Sequence, residues 1–324
     1  MVLSPIEEPK SYSTADVAGI ARQLIANVET VVVGKHDQVV LAIAVFLAEG
    51  HLLIEDVPGV AKTMLARAIA QSAGCTFKRI QCTPDLLPSD VLGEAKLEPS
   101  TGRTEFRFGP IFSQFVLVDE INRASPRTQS ALLEAMGESM VTAGSVTYRL
   151  QKPFMVVATQ NPIEQEGTFL LPEAQKDRFL MRMNIGYPSY ADERQMVERF
   201  QLRHPIESIQ PVTTPDGILK SQEAVRNVHV APDACDLILK IVRATREHPA
   251  LVLGSSPRGS LGLFRAAQAM TAINGGSTVT VEQVKAIAQN VLAHRLIIRR
   301  EEKFHSLTVH EVMAEILAQA TTTT

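Results

Sequence analysis

Two pairs of adjacent residues, Lys62-Thr63 and Asp119-Glu120, carry what phosphate chemistry asks for: an ammonium group, a hydroxyl and two carboxylates. Each pair follows a short apolar run. Leu52-Leu53-Ile54 suits a strand covered on both faces, and from Met64 onward Leu65, Ala68 and Ile69 recur with helical spacing. The segment between, Val57-Pro58-Gly59-Val60-Ala61-Lys62-Thr63, would aim backbone amides and a helix N-terminus at an anion. Val57 to Met64 thus reads as a phosphate cradle in which Lys62 reaches the outer phosphates and Thr63 offers its hydroxyl to magnesium. The usual spacing, G-x-x-x-x-G-K-[ST], wants glycine at 56 and 61, where this chain has Asp56 and Ala61. An inward carboxylate at 56 would repel phosphate, and alanine at 61 limits backbone approach. On this stretch alone, an ordinary strand-to-helix turn with a surface lysine is the competing reading.

The second pair decides against that alternative. Hydrolysis of a nucleoside triphosphate needs positioning, a metal and a group that orients water. Asp119, ending the apolar run Phe115-Val116-Leu117-Val118, is placed to hold magnesium directly or through water, and Glu120 to polarise the attacking water. Asn161 follows another apolar run, Phe154 to Ala158, and would contact the terminal phosphate or the same water, although asparagine before proline is also a common turn. Arg178 would stabilise transition-state charge, including at a neighbouring subunit's nucleotide. Arg258, in Ser255-Ser256-Pro257-Arg258-Gly259, opens a helix, where a cation opposes the dipole and invites a phosphate; a nucleotide there would bridge two domains. Arg295, Arg299, Arg300 and Lys303, mixed with Glu301 and Glu302, read as a solvated face.

The elements that must position these groups follow from periodicity and punctuation. A tail over residues 1–13 precedes a helix opened by Ser13 with Asp16, carrying Val17, Ile20, Leu24, Val28 and Val31 on one face and stopped by Gly34. A second helix spans Asp37 to Glu49, ended by Gly50. Strands are predicted at Leu52 to Ile54, Phe77 to Cys82, Phe115 to Val118, Phe154 to Ala158 and Met181 to Ile185. Hairpins are expected over Glu94 to Phe108, turning at Ser100-Thr101-Gly102, and over Met140 to Leu150, turning at Ala143-Gly144. A helix capped by Ser125 with Pro126 in its first turn ends at Gly137, and another runs from Ala191 to Leu202. Strands alternating with helices imply a parallel, helix-covered sheet whose ligand lies beyond the strands' carboxyl ends. From 204 the proline-bearing stretch reads as linker, with helices only beyond it: a short one near Ser221 to Asn227, then Pro232 to Glu247, Pro257 to Ile273, Val281 to His294 and Val309 to Ala318, the last two opened by capping boxes of Thr280 with Gln283 and Thr308 with Glu311. The expected domains are a 14–203 nucleotide-binding core, a 204–220 linker and a 221–324 helical lid.

Composition narrows the partners. The chain has 324 residues, 32 Lys plus Arg against 35 Asp plus Glu, and 45% hydrophobic residues, which suits a globular protein of about two domains without a basic excess for nucleic acid. No apolar run is long enough for a membrane span, and the acidic, proline-bearing start does not read as a signal peptide; the expected setting is soluble and cytoplasmic. Cys75, Cys82 and Cys235 lack C-x-x-C spacing and read as reduced thiols, and the histidines, His51 and His229 among them, form no metal-ligand pattern.

With these residues assembled, the chain resembles the AAA+ ATPases, and within them the MoxR family, over Val31 to Ala318. The segments that carry the resemblance are HLLIEDVPGVAKTMLARA, FVLVDEINRASPRTQSALLEAM, ATQNPIEQEGTFLLPEAQKDRF and SSPRG. It implies an α/β AAA+ P-loop fold with β-hairpin inserts and a smaller all-α lid. It assigns Lys62 and Thr63 to Walker A, Asp119 and Glu120 to Walker B, Asn161 to sensor 1, Arg178 to the arginine finger with Arg123 and Arg127 nearby, and Arg258 to sensor 2. Val32, Val33, Gly34 and Lys35 would border the adenine. The implied cofactors are ATP/ADP and Mg2+. The implied activity is ATP-driven, chaperone-like remodelling by a hexameric ring that matures or activates partner complexes, von Willebrand factor A domain proteins among them. Two other readings compete: a nucleotide-sensing scaffold with little hydrolysis, motivated by Asp56 and Ala61, and a nucleic-acid or transcription remodeller, disfavoured by the net charge of −3.

Overall fold

The computed structural model describes residues 11–98, 103–143, 146–162, 168–200, 205–299 and 307–322. Residues 1–10 of the expected tail, the turn at Ser100-Thr101-Gly102, Gly144 of the second turn, and Arg300 to Lys303 of the expected solvated face lie outside them.

In chain order the elements are α1 Thr14–Glu29, α2 His36–Leu47, β1 Leu52–Glu55, α3 Lys62–Ser72, β2 Phe77–Gln81, α4 Pro88–Leu92, β3 Gly93–Glu98, β4 Arg103–Phe108, β5 Phe115–Asp119, α5 Pro126–Glu138, β6 Met140–Ala143, β7 Val146–Arg149, β8 Met155–Gln160, α6 Glu173–Lys176, β9 Met181–Met183, α7 Tyr190–Phe200, α8 Pro215–Arg226, β10 His229–Val230, α9 Pro232–Glu247, β11 Leu251–Leu253, α10 Pro257–Ile273, β12 Thr278–Val279, α11 Val281–Leu292, β13 Ile297–Ile298 and α12 Val309–Thr322. The central sheet has the order β2-β5-β8-β1-β9, and its strand pairs are all parallel.

Alternation along the strands feeds two cores. Leu52, Ile54, Phe115, Leu117, Met155, Val157, Met181 and Met183 enter one, while Leu53, Val116, Val118, Val156 and Ala158 enter the other. The first core also takes in α1, α2, α3 and the C-terminal helices α8 to α12; the second is closed by α4 and α5. A strand buried on both faces must be apolar throughout, which is why these runs read so clearly in the sequence. Hairpins β3–β4 and β6–β7 stand outside the sheet as antiparallel pairs. Phe106, Phe108 and Phe112 join Tyr148 of β7 in one aromatic cluster, with Phe106 stacked on Tyr148 at 4.7 Å between centroids.

The capping boxes expected at Ser13 with Asp16, Thr280 with Gln283 and Thr308 with Glu311 are formed. Several helix stops differ from the sequence reading. α1 ends at Glu29, short of Gly34, and α2 at Leu47, where Glu49 takes the left-handed conformation at φ 57°. Gly137 lies inside α5, and Ser139 at φ 52° follows its end. The expected 204–220 linker holds helix from Pro215, capped by the Thr214 hydroxyl on the Gly217 amide, so the helix near Ser221 begins earlier than its apolar residues announced. The C-terminal region is not helices only: β10 pairs with β12 and β11 with β13. Two-residue ladders carry no readable periodicity. Cys75, Cys82 and Cys235 are free thiols.

Candidate active site

Lys62, Thr63, Asp119, Glu120 and Asn161 all lie at the carboxyl edge of the parallel sheet, because each directly follows or ends β1, β5 or β8 or opens the helix after it. Gly59 takes φ 85° and a Cβ there would meet nothing within 4 Å. Ala61 sits at φ 64° as the N-terminal boundary of α3, so an alanine adopts the left-handed geometry for which the usual motif keeps glycine. Strain of this kind costs about 1–2 kcal/mol. Among the described residues no side chain caps α3, and its first turn holds no acidic residue, which leaves its amides and dipole directed at the loop.

Asp56 does not face that cradle. Its Oδ2 accepts the Ile185 and Gly186 amides, each at 2.6 Å, and its Oδ1 accepts the Val57 amide at 2.8 Å. The repulsion expected from a carboxylate at 56 is therefore absent, because three backbone donors turn it toward the segment after β9. Lys62 Nζ donates to the Asp56 carbonyl at 2.7 Å. The same segment and α7 after it reach Gly34 and Lys35: Lys35 Nζ donates to the Tyr187 carbonyl at 2.9 Å, and Gly34, at φ 71°, lies so close to the Asp192 carboxylate of α7 that a Cβ would overlap it.

Asp119 and Glu120 are held by neighbours that the sequence reading did not single out. Thr159 Oγ1 donates to Asp119 Oδ1 at 2.6 Å and accepts the Glu120 amide at 2.8 Å. Arg79 Nη2 lies 2.6 Å from Asp119 Oδ2, and Gln81 Nε2 donates to Glu120 Oε2 at 3.1 Å. Arg123 Nη1 meets the same Glu120 oxygen at 3.1 Å, so this guanidinium is engaged within its own chain. Glu120 itself stands at φ 56°, a turn that separates its side chain from that of Asp119. The alternation of Arg79 and Gln81 on an edge strand, and Thr159 two residues before Asn161, were the available signals. Asn161 is buried at 5% exposure.

Whether a magnesium-bound triphosphate fits is answered by this donor set. The loop offers the backbone amides of an uncapped helix start, an ammonium and a hydroxyl, and Asp119 stands on the same face of the sheet as α3; these residues suit the group. Among the described residues no group of three or more His, Cys, Asp or Glu could hold a metal unaided, so Thr63 and Asp119 would share it with phosphate oxygens.

Arg178 and Arg258 are not brought to this edge. Arg178 precedes β9 and Arg258 opens α10, and both line a cavity of about 360 Å³ with Gly50, His51, Met136, Gly137 and Asp177, at the amino ends of β1 and β9. Arg258 thus shares a cavity with Gly50 and His51, which precede β1, whereas Lys62 opens the helix that follows that strand. Arg178 Nη1 donates to the Leu133 carbonyl at 2.8 Å and passes over Gly137, where a Cβ would come within 2.0 Å of it. His51 is neutral and structural: its Nδ1 accepts the Val156 amide at 3.0 Å, Nε2 meets the Met136 carbonyl at 3.2 Å, and burial pushes its pKa down to about 4.

Comparison with known proteins adds independent findings. Residues 51–181 match the ATPase family associated with various cellular activities (AAA), and residues 243–316 match the AAA lid domain. YeaC of Bacillus subtilis, a protein of uncharacterised function, is 45% identical over 94% of this chain and 95% of its own length. Chaperone MoxR1 of Mycobacterium tuberculosis is 39% identical over 90% of this chain and 80% of its own. The crystal structure of a candidate ATPase from Cytophaga hutchinsonii superposes with a TM-score of 0.88 at 35% identity, covering 94% of this chain and 95% of that one.

Proposed function

The chain belongs to the MoxR family of AAA+ ATPases, and from that premise we propose that it hydrolyses ATP at a boundary between subunits of a ring, hexameric by resemblance, and uses the cycle to remodel partner proteins. The observation that carries this reading is the division of the site residues between the two edges of one sheet. Lys62, Thr63, Asp119, Glu120 and Asn161 occupy the carboxyl edge, while Arg178 and Arg258 occupy the amino edge. In the proposed ring, one chain supplies the first set and its neighbour the second.

Each residue then has a defined task. Lys62 and the amides of Gly59 to Met64 bind and orient the phosphates, with Val33 and Gly34 on the adenine side. Bound magnesium would supply charge neutralisation of the phosphate oxygens, held by Thr63 and Asp119. Glu120, fixed through its amide to Thr159, orients water and takes up its proton, and Asn161 holds the same water or the terminal phosphate. Arg178 and Arg258 of the next subunit meet the charge that develops in the transition state. The clients, von Willebrand factor A domain proteins and metal-containing enzymes, rest on the resemblance alone, as does a cytoplasmic setting; no helix among the described residues is long and apolar enough to cross a membrane.

The scaffold alternative loses its motive, since Asp56 is turned away and Ala61 adopts the glycine geometry. The test separates binding from turnover. Lys62→Ala is expected to lose ATP binding in titration calorimetry. Glu120→Gln and Arg178→Ala should bind ATP normally and lose turnover by roughly 100-fold or more. Full turnover in Arg178→Ala would overturn the subunit-boundary reading.

A further inference from the structure

Asp177 joins parts of the amino-edge cavity that the chain supplies from far apart. Its Oδ1 accepts from Arg295 Nη1 at 2.5 Å and its Oδ2 from the Ser256 hydroxyl at 2.8 Å. Ser256 is the N-cap of α10 and accepts the Arg258 amide at 3.1 Å, so Asp177 stands two links from one arginine. It directly precedes the other, Arg178, whose guanidinium is fixed to α5 through the Leu133 carbonyl. Arg295, expected from the sequence on a solvated face, is instead buried at 5% exposure, because its charge is met by Asp177 and it also donates to the Phe179 carbonyl at 2.7 Å and the Val291 carbonyl at 2.8 Å. A single carboxylate thereby ties the segment entering β9, the start of α10 and the turn that follows α11.

That arrangement does more than neutralise a buried cation. Arg295 has two backbone acceptors of its own, and a buried ion pair is weak support for stability, which leaves the fixing of geometry as the role to test. The Ser256 hydroxyl needs no carboxylate to cap α10. Both of Asp177's oxygens are nevertheless engaged, one by Arg295 beyond α11 and one by Ser256, the cap of the helix that carries Arg258, while Arg178 follows Asp177 on the same segment.

We propose that Asp177 is a positioning residue that holds Arg178 and Arg258 at a fixed offset, so that the two guanidinium groups meet a neighbouring subunit's phosphates as one unit. This rests on the reading that both arginines act across the subunit boundary. Loss of the tie leaves each arginine present but misplaced, and displacements near 1 Å cost on the order of 100-fold in rate.

The experiment uses the full chain. Asp177→Ala alone leaves Arg295 buried and uncompensated, so the double variant Asp177→Ala with Arg295→Met, which removes both charges together, is measured beside it. The double variant is expected to melt near the parent temperature, to keep its KM for ATP within about twofold, and to lose kcat by roughly 100-fold. Mixed with Lys62→Ala, which is inactive alone, it should regain turnover, because some boundaries then pair an intact Lys62 with an intact Asp177. Arg178→Ala mixed with Lys62→Ala serves as the control. A folded double variant with parental kcat overturns the proposal. So does a loss that the mixture fails to recover while the control mixture recovers. If the control mixture also stays inactive, the cross-boundary reading is itself wrong, and the role of Asp177 falls with it.

Discussion

Asp56 stands where a phosphate loop ordinarily carries glycine, and its partners lie 129 and 130 residues further along the chain. Asp56→Ala would leave the Ile185 and Gly186 amides without their acceptor, at about 1–3 kcal/mol for each buried donor. Urea unfolding should record that loss while titration calorimetry finds ATP affinity no tighter than in the parent; tighter binding would mean that the carboxylate does face phosphate. Ala61→Gly should instead stabilise, by about 0.5–1 kcal/mol, as relief of left-handed strain outweighs the added chain entropy. His51 makes a third prediction. Its pKa of about 4 in the fold lies below the ordinary histidine value, so the unfolded chain takes up a proton first as pH falls. Stability is complete above pH 6.5 and declines by about 3 kcal/mol on the way down to pH 4. Urea midpoints across that range should slope less in His51→Gln, which can keep both hydrogen bonds. Lys62, Thr63, Asp119 and Glu120 were legible because the motif that places them is local. Thr159, Arg79 and the true orientation of Asp56 were not, since alternation places Arg79 and Thr159 on strands without naming the distant groups they bond.

The same division between local and distant causes holds for helices and their ends. Ser13, Thr280 and Thr308 announced their helices because a cap and its partner lie within one turn. Gly50 and Gly137 read as stops, but neither serves that purpose: a Cβ at 50 would overlap the Leu180 side chain, and one at 137 would overlap the Arg178 guanidinium. Residues without this constraint, Glu49 and Ser139, take the left-handed turns beside them. The glycines give room for a neighbouring element, which sequence periodicity along one helix does not express. Gly137→Ala tests this. The obstructed atom ends a flexible side chain, so the fold yields easily, and alanine in a helix gains up to about 1 kcal/mol over glycine. The variant should melt at or above the parent temperature, yet lose turnover by roughly tenfold or more as Arg178 leaves the Leu133 carbonyl. Unchanged turnover would show that the placement of Arg178 over α5 is irrelevant to catalysis.

At the scale of the molecule, the larger core decides how the parts respond to each other. Leu24 and Val28 of α1, Ile43 of α2, Leu52 and Leu117 of the sheet, and Leu263, Val284 and Ile316 of the C-terminal helices belong to one continuous cluster. The sequence foretold a sheet and a helical region but not this merger, because apolar stripes reveal that a face is buried without naming what covers it. A small lid hinged on a linker would open at lower free energy than the sheet. A shared core predicts the opposite. Leu24→Ala, at a fully buried site, should cost about 2–5 kcal/mol, and that cost should be felt far from α1. In native-state hydrogen exchange, the slowest amides of α10 and α11 should open with the same free energy as those of β5 and β8, and Leu24→Ala should lower both by the same amount. If α10 and α11 exchange sooner and ignore the substitution, the helical region is an independent unit. If they move together, the chain is rigid across both site edges, and under the proposed boundary reading ATP turnover would act by shifting one subunit's amino-edge arginines against the next subunit's phosphate loop, not by closing a lid within the chain.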